Sequence, residues 1–216
     1  MEASIETRQL NGWQYKYRCP EGEGPFPVIG MLHGWTGDED SMWVFASRLP
    51  KNALLIAPRG LYPAPMGGYA WHKQRGSLWP FIEDFNQAVE DLLELFTPQN
   101  FPQGDFEQLR LVGFSQGAAL TYAFGLQHPE RVQALAGLAG FLPEGSADLA
   151  VGQPLLDKPV FVVHGVQDEL VPVEKARFAV QILERAGASV TYCEHDVGHK
   201  LDAGCFRGLG AFFQEN

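Results

Sequence analysis

The sequence predicts an α/β fold: a mostly parallel sheet with helices on both faces and an antiparallel hairpin at its leading edge. Two observations carry this. Short apolar runs bounded by Gly or Pro alternate with segments of helical spacing, and an Asn-Gly pair near the start sits between two strand-like runs. With 216 residues, of which 45% are hydrophobic and 12% aromatic, the chain has enough apolar surface to bury a continuous core and offset chain entropy. At about 150 residues per domain the length lies between one and two domains, and a single domain over 1–216 is expected.

In chain order, Ile5–Leu10 and Trp13–Arg18 flank Asn11-Gly12, the strongest short signal for a two-residue hairpin turn. Buried strands are expected at 27–32, 53–57, 109–114, 132–138, 160–163 and 190–193, where apolar runs are short. Helical spacing marks 40–49, 81–96, 116–127, 173–186 and 205–214. Two irregular stretches remain. Residues 59–80 are dense in Gly, Pro and aromatics, and 141–159 leave room for at most a short helix; a loop of about twenty residues in a compact domain is usually functional.

Charge and composition exclude several classes. Sixteen Lys and Arg against 26 Asp and Glu give a net charge of −10, a field that repels phosphate backbones and anionic lipid surfaces. Nucleic acid is therefore not an expected partner, nor is stable membrane insertion. No apolar run reaches the roughly 18 residues of a spanning helix, since 132–142 is broken by Gln133, Gly137 and Gly140. The N-terminal MEASIETRQL has no signal-peptide core, and a cytoplasmic location is expected. Cys19, Cys193 and Cys205 are odd in number and show no CxxC spacing, so neither a disulfide framework nor a zinc ribbon is expected, which fits a reducing compartment. The oligomeric state is left open, a homodimer included.

The sharpest chemical signal is Gly113-Phe114-Ser115-Gln116-Gly117, placed directly after an expected strand and before an expected helix. A serine on a strand-to-helix turn needs flanking glycines, because a Cβ there would collide with the neighbouring strand and helix. The turn exposes the Ser115 hydroxyl and leaves the Gln116 N–H free at a helix N-terminus, aimed at an anion forming beside the serine.

A serine hydroxyl needs a base, and the base an orienting carboxylate. The acid candidate is Asp168, immediately after strand 160–163, with Pro172 suited to the start of the next helix. Asp157 precedes that strand, at the wrong end of the sheet, and Glu169 would face away. Asp168 also suits a turn or helix cap. The base candidates are His195 and His199. His199 is preferred, because it lies beyond Gly198 in a loop whereas His195 ends the strand. The His-x-x-x-His pair matches a metalloprotease motif only on a helix, against which Gly198 and the β-rich flank argue. The second oxyanion donor is assigned to the Trp35 N–H in Leu32-His33-Gly34-Trp35, with His33 holding the loop's shape.

Together these segments resemble the phospholipase/carboxylesterase family of α/β-hydrolases, which includes bacterial carboxylesterases and acyl-protein thioesterases. The likeness spans nearly the whole chain and rests on Leu32-His33-Gly34, the Ser115 elbow, His164-Gly165 with Asp168 and Val171-Pro172, and Gly198-His199. It implies a Ser115, Asp168, His199 triad with backbone donors at Trp35 and Gln116, acting on a small ester or thioester with no cofactor and no metal. Family members often carry Trp-Phe-Asp in the long loop, where this chain has Tyr69-Ala70-Trp71-His72-Lys73. That departure weighs against thioesterase specificity. Tyr69, Trp71 and Trp79 are expected to wall an acyl groove. Lids of this fold are usually inserted at 141–159, which is too short for one here, so short to medium acyl chains are expected. An acyltransferase, a thioesterase or a lysophospholipase-type hydrolase could use the same triad. A non-catalytic hydrolase-fold binding protein would usually lack part of it.

Overall fold

The computed structural model describes residues 5–74 and 79–216. The first four residues and the 75–78 part of the 59–80 loop lie outside the described residues. Strands β1 (Ile5–Leu10) and β2 (Trp13–Arg18) form the expected antiparallel hairpin. Asn11 and Gly12 both take positive φ at its turn, 50° and 86°, the twist-matched geometry that Asn-Gly favours.

The other strands of the main sheet are β3 (Phe26–Leu32), β4 (Leu54–Pro58), β7 (Gly104–Phe114), β8 (Ala134–Leu138), β9 (Pro159–Gly165) and β10 (Ser189–His195), in the order β1-β2-β4-β3-β7-β8-β9-β10. Pairing is antiparallel from β1 to β4 and parallel from β4 to β10. Within the 59–80 loop a two-stranded ribbon joins β5 (Tyr62–Pro63) to β6 (Tyr69–Ala70).

Alternation along the strands feeds two cores. Val28, Leu32, Leu54 and Ile56 point to one face, under helices α1 (Asn86–Leu95), α2 (Gln116–Gln127) and α4 (Val173–Arg185). Ile29, Met31, Leu55 and Ala57 point to the other, under α5 (Ala203–Glu215) and the turn around Met42 and Phe45. Both faces are covered, so the inner strands β3, β4 and β8 are apolar throughout, as buried strands must be, whereas β10 at the edge is polar in part and only half-buried.

The expected helix at 40–49 is instead a single 3₁₀ turn, Ser41–Val44. Asp38 Oδ1 accepts from the Asp40 N–H, the Ser41 N–H and the Ser41 hydroxyl at 3.0, 3.1 and 2.9 Å, and such local side-chain bonds compete with helix extension. In 141–159 only one helical turn forms, α3 (Ser146–Leu149), and among the described residues there is no large lid. Among the described residues no helix is long and apolar enough to cross a membrane. The expectation for the cysteines is overturned: Cys193 and Cys205 form a disulfide. Their separation in sequence hid the pairing, because the end of β10 and the start of α5 meet only in the fold.

Helix α2 is buried on all sides, and its first turn lies directly on the end of β3. A Cβ at Gly117 would run into the Leu32 carbonyl oxygen. Backbone atoms cannot swing aside, so Gly117→Ala should lower unfolding free energy by at least ~2 kcal/mol. Gly204→Ala, whose Cβ meets nothing closer than 3.4 Å, should be neutral or stabilising. Urea unfolding midpoints of the two variants check this ranking.

Candidate active site

Ser115 joins β7 to α2 with φ 54° and ψ −115°, a conformation that costs a non-glycine residue about 1–3 kcal/mol. The neighbours hold it there. Its N–H donates to the Leu138 carbonyl at 2.8 Å, and its own carbonyl accepts from Ala118 and Ala119 at 3.0 and 3.2 Å. Both flanking glycines are required: a Cβ at Gly113 would strike the Gly117 carbonyl, and one at Gly117 the Leu32 carbonyl.

The acid and base meet from two adjacent strand ends. Asp168 Oδ1 accepts the Leu170 and Val171 N–H groups, both at 2.9 Å, so Asp168 does serve its turn. Its Oδ2 takes the His199 Nδ1–H at 2.6 Å. With Nδ1 as donor, the neutral imidazole presents Nε2 as an acceptor. The Asp168 carboxylate is fully buried and the His199 ring is 18% exposed, so the base alone reaches the mouth. Gly165 permits this meeting, because a Cβ there would strike the carbonyls of Val197 and Gly198. His195 is engaged elsewhere, its Nδ1 lying 3.0 Å from Asp202 Oδ2. No hydrogen bond joins Ser115 Oγ to His199 in this structure. The His199 ring packs on Phe114, the residue before Ser115, with centroids 5.0 Å apart. Such hydrogen bonds are often long in unliganded enzymes and tighten with substrate.

Residues 33–37 lie over the elbow: a Cβ at Gly34 would come within 3.2 Å of Ser115 Cβ. Neither the Trp35 nor the Gln116 N–H has a backbone acceptor among the described residues, which leaves both open to an oxyanion. The loop is braced from beneath. Buried His33 donates from Nδ1 to the Gly34 carbonyl at 2.7 Å and accepts the Gly60 N–H on Nε2 at 2.8 Å. Trp71 Nε1–H donates to the His33 carbonyl at 2.8 Å, and the Trp71 N–H donates to Gln116 Oε1 at 2.9 Å.

For Trp71 these bonds correct the expected acyl wall. Trp71 is completely buried and braces the 33–37 loop instead of lining a groove. Tyr69 lies beneath the Arg59 guanidinium, 4.6 Å from ring centroid to Cζ, and accepts Arg59 Nη1 at 3.1 Å. Trp79 packs on Phe141 at 4.9 Å and under Lys175 at 4.4 Å. Indole and phenol groups bury readily when their N–H or O–H finds a partner, and the density of aromatics in the loop gave no sign of that. The apolar cavity beside the base comes from elsewhere: 610 Å³, lined by Trp35, Val44, Phe45, Phe114, Leu201 and Phe206. A smaller cleft of 280 Å³ is bordered by Trp35, Tyr62, His72 and Gln116. A further concavity of 720 Å³ runs along the hairpin beside Gln9, Asn11, Tyr69 and Asp91 and contains none of Ser115, Asp168 and His199.

The profile of the phospholipase/carboxylesterase family matches residues 21–215. The chain belongs to that family. This family member is 36% identical to acyl-protein thioesterase 1 of Kluyveromyces lactis over 175 residues, 73% of this chain and 76% of that protein. It is 29% identical over 122 residues to a rice (Oryza sativa subsp. japonica) protein named as an inactive carboxylesterase, and there the match spans 56% of this chain and only 50% of the relative. Two solved carboxylesterases share the hydrolase fold. The Mesorhizobium loti enzyme superposes with a TM-score of 0.80 at 19% identity, covering 97% of this chain and 99% of that one. The Bacillus cereus enzyme gives 0.81 at 20%, covering 95% of each.

Burial holds the imidazoles of His33 and His164 below their ordinary pKa. The folded chain therefore keeps both neutral where the unfolded chain takes up protons. Their contribution to stability is complete above the ordinary imidazole value of about 6.5 and is lost as pH falls below it. The urea midpoint should drop between pH 7.5 and 5.5, with a shallower drop in His33→Asn. A pH-independent midpoint would contradict the buried-neutral assignment.

Proposed function

We propose that this family member hydrolyses short- to medium-chain carboxylic esters through an acyl-serine on Ser115. The observation that carries the proposal is the 2.6 Å bond from His199 Nδ1–H to the buried Asp168 carboxylate, beside a serine held at positive φ. His199 Nε2 takes the Ser115 proton as Oγ attacks the ester carbonyl, while Asp168 fixes the tautomer and stabilises the imidazolium. The Trp35 and Gln116 N–H groups receive the oxyanion. His199 then protonates the departing alkoxide, and the same base activates water to release the acid. The acyl chain is assigned to the 610 Å³ apolar cavity under Phe45 and Phe206, and the alcohol to the cleft by His72.

A thioester reading is favoured by one observation, the relative named as an acyl-protein thioesterase, and the same groups would attack a thioester carbonyl. Matched ester and thioester substrates with acyl chains of increasing length separate the two.

Ser115→Ala should lower kcat/KM for the best ester by roughly 10⁴-fold or more, and His199→Ala by a similar factor. His195→Ala should cost far less. Steady-state kinetics on the three variants check the assignment, and the reverse ranking of the two histidines would move the base to His195.

A further inference from the structure

Outside the reacting groups, one cluster of reactive side chains stands apart: Cys193, His195 and Cys205, whose ligand atoms all lie within 4.8 Å of one another. Its two sulfurs are joined. The disulfide spans the segment that carries His199, tying the end of β10 to the first turn of α5 with Cα atoms 6.0 Å apart. Two non-covalent ties run parallel to it. His195 Nδ1 lies 3.0 Å from Asp202 Oδ2, with side chains 40% and 26% exposed, and Asp202 Oδ1 accepts the Cys205 N–H at 2.8 Å. A contact this exposed holds little by itself. The same segment supplies Leu201 and Phe206 to the apolar cavity.

We propose that Cys193 and Cys205 are a reversible thiol–disulfide modification site that sets the placement of His199 and of the cavity wall. Its functional half rests on the hydrolase reading above. In the oxidised form the ends of the loop are fixed, and His199 is presented to Asp168. In the reduced form the ends of the loop are joined through the exposed His195–Asp202 pair, its body is held by the Gln167 N–H bond to the Val197 carbonyl and by the His199–Asp168 bond, and both kcat and acyl binding suffer. Reduction by a dithiol balances as follows. One reductant thiolate attacks Sγ of Cys193, the less buried residue of the pair, the S–S bond breaks, and Cys205 leaves as a thiolate that takes a proton from water. The second reductant thiol then attacks the mixed disulfide, freeing the Cys193 thiol and closing a cyclic disulfide. Two electrons and two protons pass to the protein, and a low-molecular-weight disulfide reverses the exchange. Cys19 lies outside this site, its thiol 2.8 Å from Gln103 Oε1.

The test uses the full chain carrying Cys19→Ser, so that every thiol counted belongs to the pair. Thiol titration, kcat/KM and hydrogen exchange over residues 196–202 are followed before reduction with dithiothreitol, after it, and after reoxidation with oxidised glutathione. The expected result is two thiols on reduction, faster exchange in 196–202, and at least a fivefold fall in kcat/KM that reoxidation restores. Cys193→Ser, which leaves buried Cys205 intact, should match the reduced form in either redox state. Unchanged kcat/KM and exchange across a verified reduction would overturn the proposal. So would two free thiols in the untreated, air-equilibrated protein. Uptake of one equivalent of Zn²⁺ by the reduced protein, abolished in His195→Ala and restoring activity without the disulfide, would overturn it in favour of a metal centre. If no ester is turned over in any state, the hydrolase reading fails while the exchange data still decide the tether.

Discussion

The contact between Gly117 and the Leu32 carbonyl fixes more of this molecule than any other. Backbone meets backbone there, so α2 can start at only one height above β3, and the residue before it must turn sharply. Ser115 is that residue. Its positive φ costs about 1–3 kcal/mol, but Leu120, Tyr122 and Phe124 on α2 are completely buried, each contributing about 1.5–3 kcal/mol. Packing of the helix outweighs the strain of the turn. The same end of β3 releases the 33–37 segment, so one close approach sets both the serine and the loop with the open Trp35 N–H.

The acid and base are held by a second, separable device. The Asp168 carboxylate is tolerable in the interior because its oxygens accept two backbone N–H groups and an imidazole N–H, leaving little lone-pair capacity unpaired. His164, buried beside it, donates from Nε2 to the Val171 carbonyl at 2.7 Å and lies 3.4 Å from Asp168 Oδ2. It steadies the turn without competing for the shorter bond. The loops after β9 and β10 approach only because Gly165 has no side chain.

Much of this was legible in the sequence, because strong local rules coincide with tertiary need. Asn11-Gly12 admits few turns, the alternating apolar runs admit one class of sheet, and Gly113 and Gly117 mark the place where a Cβ has no room. The sequence order of Ser115, Asp168 and His199 placed each at a strand end, and the structure brings the last two into contact. Long-range pairings were not legible. Trp71 and Tyr69 look like any exposed loop aromatics until His33, Gln116 and Arg59 are found beneath or beside them. Cys193 and Cys205 stand 12 residues apart with no motif between them. Helical spacing at 40–49 lost to Asp38, whose side chain offers the backbone and Ser41 a local alternative. Residues 42, 45 and 46 still reach the core, so the apolar pattern there reported burial and misreported the helix.

The central claim is that the elbow serine becomes covalently acylated, and a slowly released acyl group tests it most directly. The protein is mixed with an aryl carbamate, quenched, and mapped by peptide mass spectrometry beside Ser115→Ala. The account predicts one carbamoyl group per chain, on Ser115, formed as ester hydrolysis is lost and absent from the variant. Loss of hydrolysis with the group on another residue, or ester turnover that a carbamate leaves untouched, would contradict it.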